Sequence, residues 1–432
     1  METSNAFNGM SGTIEMQVFM TISSKLHKDE TIVFDDNFTF ELPKGCDELG
    51  WPTNTVISVK YRLIHDTLVK LEHQFRSVRR KYKKLVLLYY DKNDSQNEEG
   101  IVLYDDYNKS FRELLIVCNI VDFIQQNQPN KKFDQEQAFI QWTALYDKYK
   151  KIKARKVLTT ERFSFFLGAG VSIDAGLPKW DALLDKLCKK KKIQPLDKSI
   201  NSIIRGRYII NKYRDSKGRI TDAFYHDLRS ILYATVHPSN LIGVLAEVIC
   251  KYWGYPFYGR ESIITYNYDD LIEQEINHMA PLRLRSYYRP KKVAYPVYNK
   301  SRLIKKTSIP IYHVHGFLSQ FRRSHSSLIV LGEKEYHKIY QEAYDWGNVE
   351  QLHALTRSSC FFIGLSMTDP NLRRLIDISN DGSEVNLVHF TFLRRKDYDV
   401  PFTEQMMRSF GIHCIWYDEH HDLPVLLARL WL

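Results

Sequence analysis

Residues 165 to 180 read FFLGAGVSIDAGLPKW, and the fold turns on how the glycines in this stretch are taken. An apolar run giving way to Gly168-Ala169-Gly170 is a strand that ends in a tight turn. Without Cβ atoms the backbone there can approach a pyrophosphate, whose charge suits free N–H groups at a helix start. The ordinary dinucleotide spacing G-x-G-x-x-G would put a third glycine at position 173, which is Ile173; the next glycine is Gly176. Pro178 fits the first turn of a following helix, KWDALLDKL. Glycines after a strand also serve simple packing in α/β proteins, so the loop has to be read together with the other strand ends.

Working outward, short apolar runs alternate with helical stretches from about residue 155. The strands expected are FSFFLGAG, SIITYN, IPIYHVHG, SLIVLG, SCFFIGLS, LVHFTFL and IHCIWYD, with helices over 179–190, 221–235, 238–251 and 347–357. Near-continuous apolar strands separated by helices indicate a parallel sheet buried on both faces. The expectation is a Rossmann-like, doubly wound α/β domain over 155–432. Ligands in such sheets bind at the carboxyl ends of the strands.

Those ends carry a recurrent set of residues. The loop after the first strand holds Gly168, Ala169, Gly170, Ser172, Gly176 and Pro178. The second strand runs into Thr265, Asn267 and Asp269, which can reach a ligand or shape a turn. The third ends in His313-Val314-His315-Gly316. Two histidines at i and i+2 share a strand face, yet no Cys or carboxylate nearby in sequence completes a metal set. His315, where the strand opens into a loop, suits a general base, and His313 reads as a structural, hydrogen-bonded residue. The fifth strand leads to Gly364 and Ser366, with Asp369 before Pro370 as either an N-cap or a ligand. Together they describe a phosphate cradle, an Asn/Asp pair and one histidine. The set lacks paired carboxylates, a G-x-S-x-G elbow and the G-K-[ST] of a P-loop.

Composition bounds the setting. With 432 residues, 44% hydrophobic, the chain can form two or three folded domains. No apolar run reaches the roughly 20 residues of a membrane span, and the N-terminus lacks a signal-peptide pattern, so the expectation is a soluble cytoplasmic protein. Six scattered cysteines form no C-x-x-C, which supports neither zinc nor a redox motif. The net charge of +10 is uneven: residues 1–150 hold 19 Lys+Arg against 22 Asp+Glu, leaving 42 against 29 in the remainder. That excess suits an anionic substrate, although runs such as Lys189 to Lys192 also read as a solvated helix end.

The segment 1–154 reads as a smaller α+β domain. Its strand-like runs are EMQVFMTIS, NTVISVKYRL, KKLVLLYY and GIVLY, with helical stretches around 64–81 and 110–147. CDELGWPTNTVISVKYRL faintly resembles a restriction-endonuclease-like core in which Asp47 and Lys60 match, but Ser58 stands where a Glu is needed. The plainer reading is an amphipathic strand whose polar residues Ser58, Lys60 and Arg62 face solvent. An inactive nuclease-like domain with a sensing or assembly role is the expectation, with nucleic-acid binding by this domain as an alternative.

The C-terminal motifs, taken in order, resemble the sirtuin family. They are G-A-G-x-S-x-x-x-G-x-P from Gly168 to Pro178, T-x-N-x-D from Thr265 to Asp269, H-G at His315-Gly316, and G-x-S from Gly364 to Ser366. The resemblance implies NAD+ binding, with Asn267 near the nicotinamide ribose, Asp269 supporting it and His315 as the base. Two departures matter. Gly-Leu-Pro-Lys-Trp replaces the deacylase G-I-P-D-F-R loop, and no cysteine lies between Gly316 and Ser358 where the zinc module should be. No zinc is therefore expected. The chain looks more like the zinc-less sirtuin-like effectors of bacterial antiphage defence, which consume NAD. That likeness implies NAD+ as substrate, cleaved to nicotinamide and ADP-ribose, in a homo-oligomer or beside an ATPase or Argonaute-like partner. An NAD-dependent protein deacylase or ADP-ribosyltransferase, and a non-catalytic NAD or ADP-ribose sensor, are the alternatives.

Overall fold

The structure, a computed structural model, describes residues 11–35, 38–60, 65–89, 114–128, 134–160, 162–253, 260–283, 294–299, 309–321, 328–342, 345–380 and 387–431. The chain divides into two compact units, Met1–Lys153 and Ala154–Leu432, and the division falls inside one helix, Gln135–Thr160.

Among its described residues the first unit has five strands: β1 (Val33–Phe34), β2 (Phe40–Leu42), β3 (Thr55–Lys60), β4 (Lys84–Tyr89) and β5 (Leu115–Asn119). They lie in the order β1-β2-β3-β4-β5, antiparallel from β1 to β3 and parallel from β3 to β5. The sequence expectation needs three corrections here. EMQVFMTIS is helical, within Ser11–Ser23, because Ile14, Val18, Phe19 and Ile22 bury at helical spacing rather than alternately. The stretch 110–147 is not one helical region, since β5 opens it and Asn119 then caps a short helix, Ile120–Gln126. Ser58 is not solvated: it is fully buried on β3 beside Val56, on a face covered by Leu71 and Phe75 of the helix His65–Ser77. Asp47 is exposed in the turn Asp47–Leu49. GIVLY and Arg62 lie outside the described residues.

The second unit holds a seven-stranded sheet: β6 (Phe163–Leu167), β7 (Arg260–Thr265), β8 (Ala294–Val297), β9 (Ile309–His313), β10 (Ser359–Ile363), β11 (His389–Arg394) and β12 (Ile412–Tyr417). The order is β12-β11-β10-β6-β7-β9-β8, every neighbour pair parallel. Chain order reverses at β6, which lies between β7 and β10, so the topological switch point falls between the ends of β6 and β10.

Both faces are packed, as the near-continuous apolar strands require. Phe165, Leu167, Ile263, Phe361, Ile363 and Phe392 bury on one side with Leu183, Leu228, Leu245 and Leu427 of four helices. Phe166, Ile264, Phe362 and Cys414 bury on the other with Leu355, Leu375 and Met407 of three more. Each such Phe is worth about 2–3 kcal/mol by burial. The helices expected over 179–190, 221–235, 238–251 and 347–357 are Trp180–Lys191, Asp222–Leu232, Asn240–Trp253 and Trp346–Arg357.

Two details differ from expectation. SLIVLG forms no strand over its described residues; Ile329, Val330 and Leu331 are buried in an extended loop tied by single bonds, Val330 N–H to the His315 carbonyl and Tyr268 hydroxyl to the Val330 carbonyl. Conversely, Ala-Tyr-Pro-Val makes β8, at the edge of the sheet among the described residues, where Pro296 is tolerated because no further described strand needs its missing N–H.

Candidate active site

The strand ends converge on Asn267. Its Nδ2 donates to the Gly168 carbonyl at 3.0 Å and to Ser172 Oγ at 2.9 Å, which uses both amide hydrogens. Its main-chain N–H donates to Thr265 Oγ1 at 3.1 Å. That network fixes the amide orientation, so the side-chain oxygen, without a partner among the described residues, is the acceptor Asn267 presents. Ser172, Thr265, Asn267 and Asp269 line a small cavity with Leu167, Val171, Ile242 and Ile272. It has about 10 Å³ open to the centre of a water molecule, room for about one water.

Asp269 is buried and accepts the Leu271 N–H at 3.2 Å. Burial pushes its carboxyl up to about 6, against the opposing hydrogen bonds from Ser172 and Leu271, while the nearby Glu273 charge adds to the rise.

His313 and His315 do not share a role or a face, because β9 ends at His313 and the period of two stops there. His313 is fully buried, with Nδ1 2.9 Å from the Asn267 carbonyl and Nε2 2.6 Å from Glu273 Oε1. Both partners can only accept, so both ring nitrogens carry hydrogen and the ring is an imidazolium. Burial opposes that charge, but the Glu273 carboxylate, the Asn267 carbonyl and the Asp269 charge together hold the pKa above the ordinary value. This buried ion pair pins the Asn267 backbone, and no reading of the sequence singled out Glu273. The signal available was its spacing, one helical turn after Asp269.

His315 is 5% exposed and does not line the small cavity. Its ring packs edge-on against Tyr266 at 4.6 Å and Tyr336 at 5.4 Å between centroids. Nε2 is enclosed without a hydrogen-bond partner among the described residues, 3.7 Å from Asp369 Oδ2. Burial lowers its pKa, partly offset by Asp369, so the ring is neutral. A neutral imidazole one strand end from Asn267 has the protonation state a general base needs.

At the switch point the glycine loops meet each other. Gly168 N–H donates to the Ile363 carbonyl and Gly170 N–H to the Gly364 carbonyl, both at 2.9 Å. A Cβ on Gly170 would come within 2.7 Å of Gly364 Cα. Gly364 itself has φ +68°, and its Cβ would lie 2.6 Å from Val171 N. These amides are therefore spent on the neighbouring loop, and the glycines make that backbone approach possible. Ala169 is exposed at the head of the five-residue helix Ala169–Ile173, and Gly176 (φ +93°) turns the loop beneath Thr235. Pro178 stands two residues before the next helix rather than in its first turn, because Lys179 is the N-cap of Trp180–Lys191. Ser366 is exposed and bonds Thr368 at 2.7 Å. Asp369 caps the helix Pro370–Asn380 through Leu372 N–H at 2.8 Å.

Among the described residues no group of His, Cys, Asp and Glu is arranged to hold a metal ion, and no helix is long and apolar enough to cross a membrane. None of the six cysteines is in a disulfide.

Asn267 and Asp269 thus follow β7, and His315 follows the neighbouring parallel strand β9. Residues 261–415 match the family model described as the SIR2-like domain, a span that takes in Asn267, Asp269, His315, Gly364 and Ser366 but begins after the glycine loop. Proteins named NAD(+) hydrolase ThsA are similar over nearly two thirds of the chain. The one from Acinetobacter baumannii (strain 532279) is 24% identical over 64% of this chain and 54% of its own length. That from Bacillus cereus (strain MSX-D12) is 26% identical over 64% and 55%, and that from Cytobacillus dafuensis 22% over 63% and 51%. The chain thus spans about half the length of the curated relatives it matches. A solved SIR2 homologue in complex with NAD aligns at 12% identity over 65% of this chain and 93% of its own, with a TM-score of 0.34.

Proposed function

We propose that the chain is an NAD+ glycohydrolase that cleaves NAD+ to nicotinamide and ADP-ribose, with NAD+ as substrate rather than as a retained cofactor. The observation that carries the reading is Asn267, which lines the cavity and whose two amide hydrogens are held internally, leaving its side-chain oxygen as the fixed acceptor. Such an acceptor holds a water or a ribose hydroxyl by its hydrogen.

The chemistry needs little else. The nicotinamide–ribose bond breaks with its electron pair passing to the positively charged ring nitrogen, which leaves neutral and needs no general acid. The ribose carbon passes through an oxocarbenium-like state, as in glycoside hydrolysis. Water attacks that carbon while His315, neutral through burial, takes its proton. Asp269 supports the Asn267–Ser172 network from below. The names of the three relatives support hydrolysis of NAD+ over acyl transfer. The likeness to antiphage effectors favours a role in defence, with a homo-oligomer or a partner protein controlling turnover.

Incubating the purified chain with NAD+ and separating products by chromatography tests the reading. Nicotinamide and ADP-ribose should appear in equal amounts without an acylated peptide, and Asn267→Ala and His315→Ala should each lose on the order of a hundredfold or more. Unchanged product formation by both variants would sink the mechanism. Nicotinamide release that depends on an acylated peptide would replace it with deacylation.

A further inference from the structure

Two histidines leave the end of β9, and each meets a carboxylate, yet only one pair is closed. His313 Nε2 holds Glu273 at 2.6 Å. His315 Nε2 stands 3.7 Å from Asp369 Oδ2, beyond hydrogen-bond reach, and is enclosed with no other partner among the described residues. A buried polar atom left unpaired is destabilising, so an open contact of this kind calls for an explanation.

The surroundings of Asp369 aim its carboxylate at the ring. Oδ1 accepts the Leu372 N–H at 2.8 Å, and Oδ2 accepts the Tyr336 hydroxyl at 2.8 Å. The Asp369 carbonyl accepts the Arg373 N–H at 3.1 Å. Residue and side chain are thus fixed at three points. The other titratable groups against His315 among the described residues are Tyr266 and Tyr336, both packed edge-on. Burial pushes both phenols far above the ordinary value, so both are neutral. Asp369 is the charge that faces the imidazole.

We infer that Asp369 is a positioning residue for His315: it keeps hydrogen on Nε2, leaves the Nδ1 lone pair for the reacting water, and closes on the ring when the imidazolium forms. In that step the water O–H bond breaks and its proton goes to Nδ1. The water oxygen bonds to the ribose carbon, and the nicotinamide leaves with the electron pair of the broken bond. Asp369 takes no proton; it balances the charge of the ring through Nε2–H, as the buried aspartate of a Ser-His-Asp triad does. Closing the contact requires a movement of under about 1 Å to reach hydrogen-bond distance. The water and ribose rest on the NAD+ hydrolysis proposed above, whereas the pairing of Asp369 with His315 does not.

The test uses the full chain and two variants with opposite signs. Asp369→Asn keeps an oxygen to cap the helix, since Asn caps about as well as Asp, but removes the charge. Tyr336→Phe removes the hydroxyl that competes for Oδ2, freeing it for His315. Titration of histidine-labelled protein by NMR, with His315 assigned from His315→Gln, reads the pairing directly. Asp369→Asn should lower the His315 midpoint by about one pH unit or more, and Tyr336→Phe should raise it. The acid limb of NAD+ cleavage should move with the midpoint, and Asp369→Asn should lower kcat by on the order of tenfold with KM unchanged. A His315 midpoint that stays in place in folded Asp369→Asn overturns the inference whatever happens to turnover. Midpoints that move as stated in a chain that never cleaves NAD+ support the pairing and overturn the proposed reaction instead.

Discussion

Replacing Asp269 with Asn should make the protein more stable and less active, and the size of the gain should depend on pH. Asp269 is 5% exposed, and its carboxyl rises from the ordinary aspartate value of 3.8 to about 6. A carboxylate whose folded pKa is raised is a cost to the folded state whenever it is ionised. That cost is absent below about pH 3.8, grows between 3.8 and 6, and is complete above 6. A rise of about two pH units corresponds to about 3 kcal/mol. Asn has the same shape, keeps an acceptor for Leu271 N–H and does not ionise. Asp269→Asn should therefore gain about 3 kcal/mol at pH 7.5 but only about 1 kcal/mol at pH 4.5. Urea unfolding of both proteins at the two pH values measures the difference, and NAD+ cleavage by the variant should fall at the same time. A variant less stable than the parent by the same amount at both pH values would refute the reasoning, because the site would then depend on the shape of the hydrogen bonds and not on a buried charge.

Other substitutions probe the frame around that residue. Glu273→Ala strands a buried imidazolium at His313 and should cost about 3–5 kcal/mol. Because the folded pKa of His313 is raised, its pairing contributes fully below the ordinary value of 6.5 and is lost as pH climbs through the folded value; unfolding curves of Glu273→Gln across that range should lack this slope. Gly364→Ala forces a side chain into φ +68° and a Cβ to 2.6 Å from Val171 N, and should lower stability by about 2 kcal/mol or more in a thermal melt. Gly243→Ala, one turn into the helix Asn240–Trp253 with nothing within 4 Å of the added Cβ, should instead raise it by up to about 1 kcal/mol.

The buried sheet was legible because its strands are written in nearly unbroken apolar residues, and a strand covered on both faces has few other ways to read. The same rule misread SLIVLG, since a buried loop and a buried strand demand equally apolar side chains and differ only in where their N–H groups go. It passed over β8, whose proline hides a strand that needs hydrogen bonds on one edge alone. In the first unit the run EMQVFMTIS satisfies alternation and helical spacing at once, and only packing decided between them. The residues around Asn267 stood out because polar side chains at strand ends are unusual. Glu273 did not, because a glutamate early in a helix is ordinary until the imidazole it neutralises is known. Asp369 sat between two readings, and the structure gives it the cap while leaving its second oxygen beside His315.

The hydrogen bond from Gly170 to the Gly364 carbonyl joins a segment near the start of the second unit to one near its end. Its amide hydrogen can exchange with solvent only when those segments part, so that single proton times the opening of the crevice. A ligand that bridges the two loops would slow its exchange, and one that wedges between them would hasten it. The resonance of Gly170 thereby distinguishes a crevice that clamps its ligand from one that is prised open, with no label placed in the site.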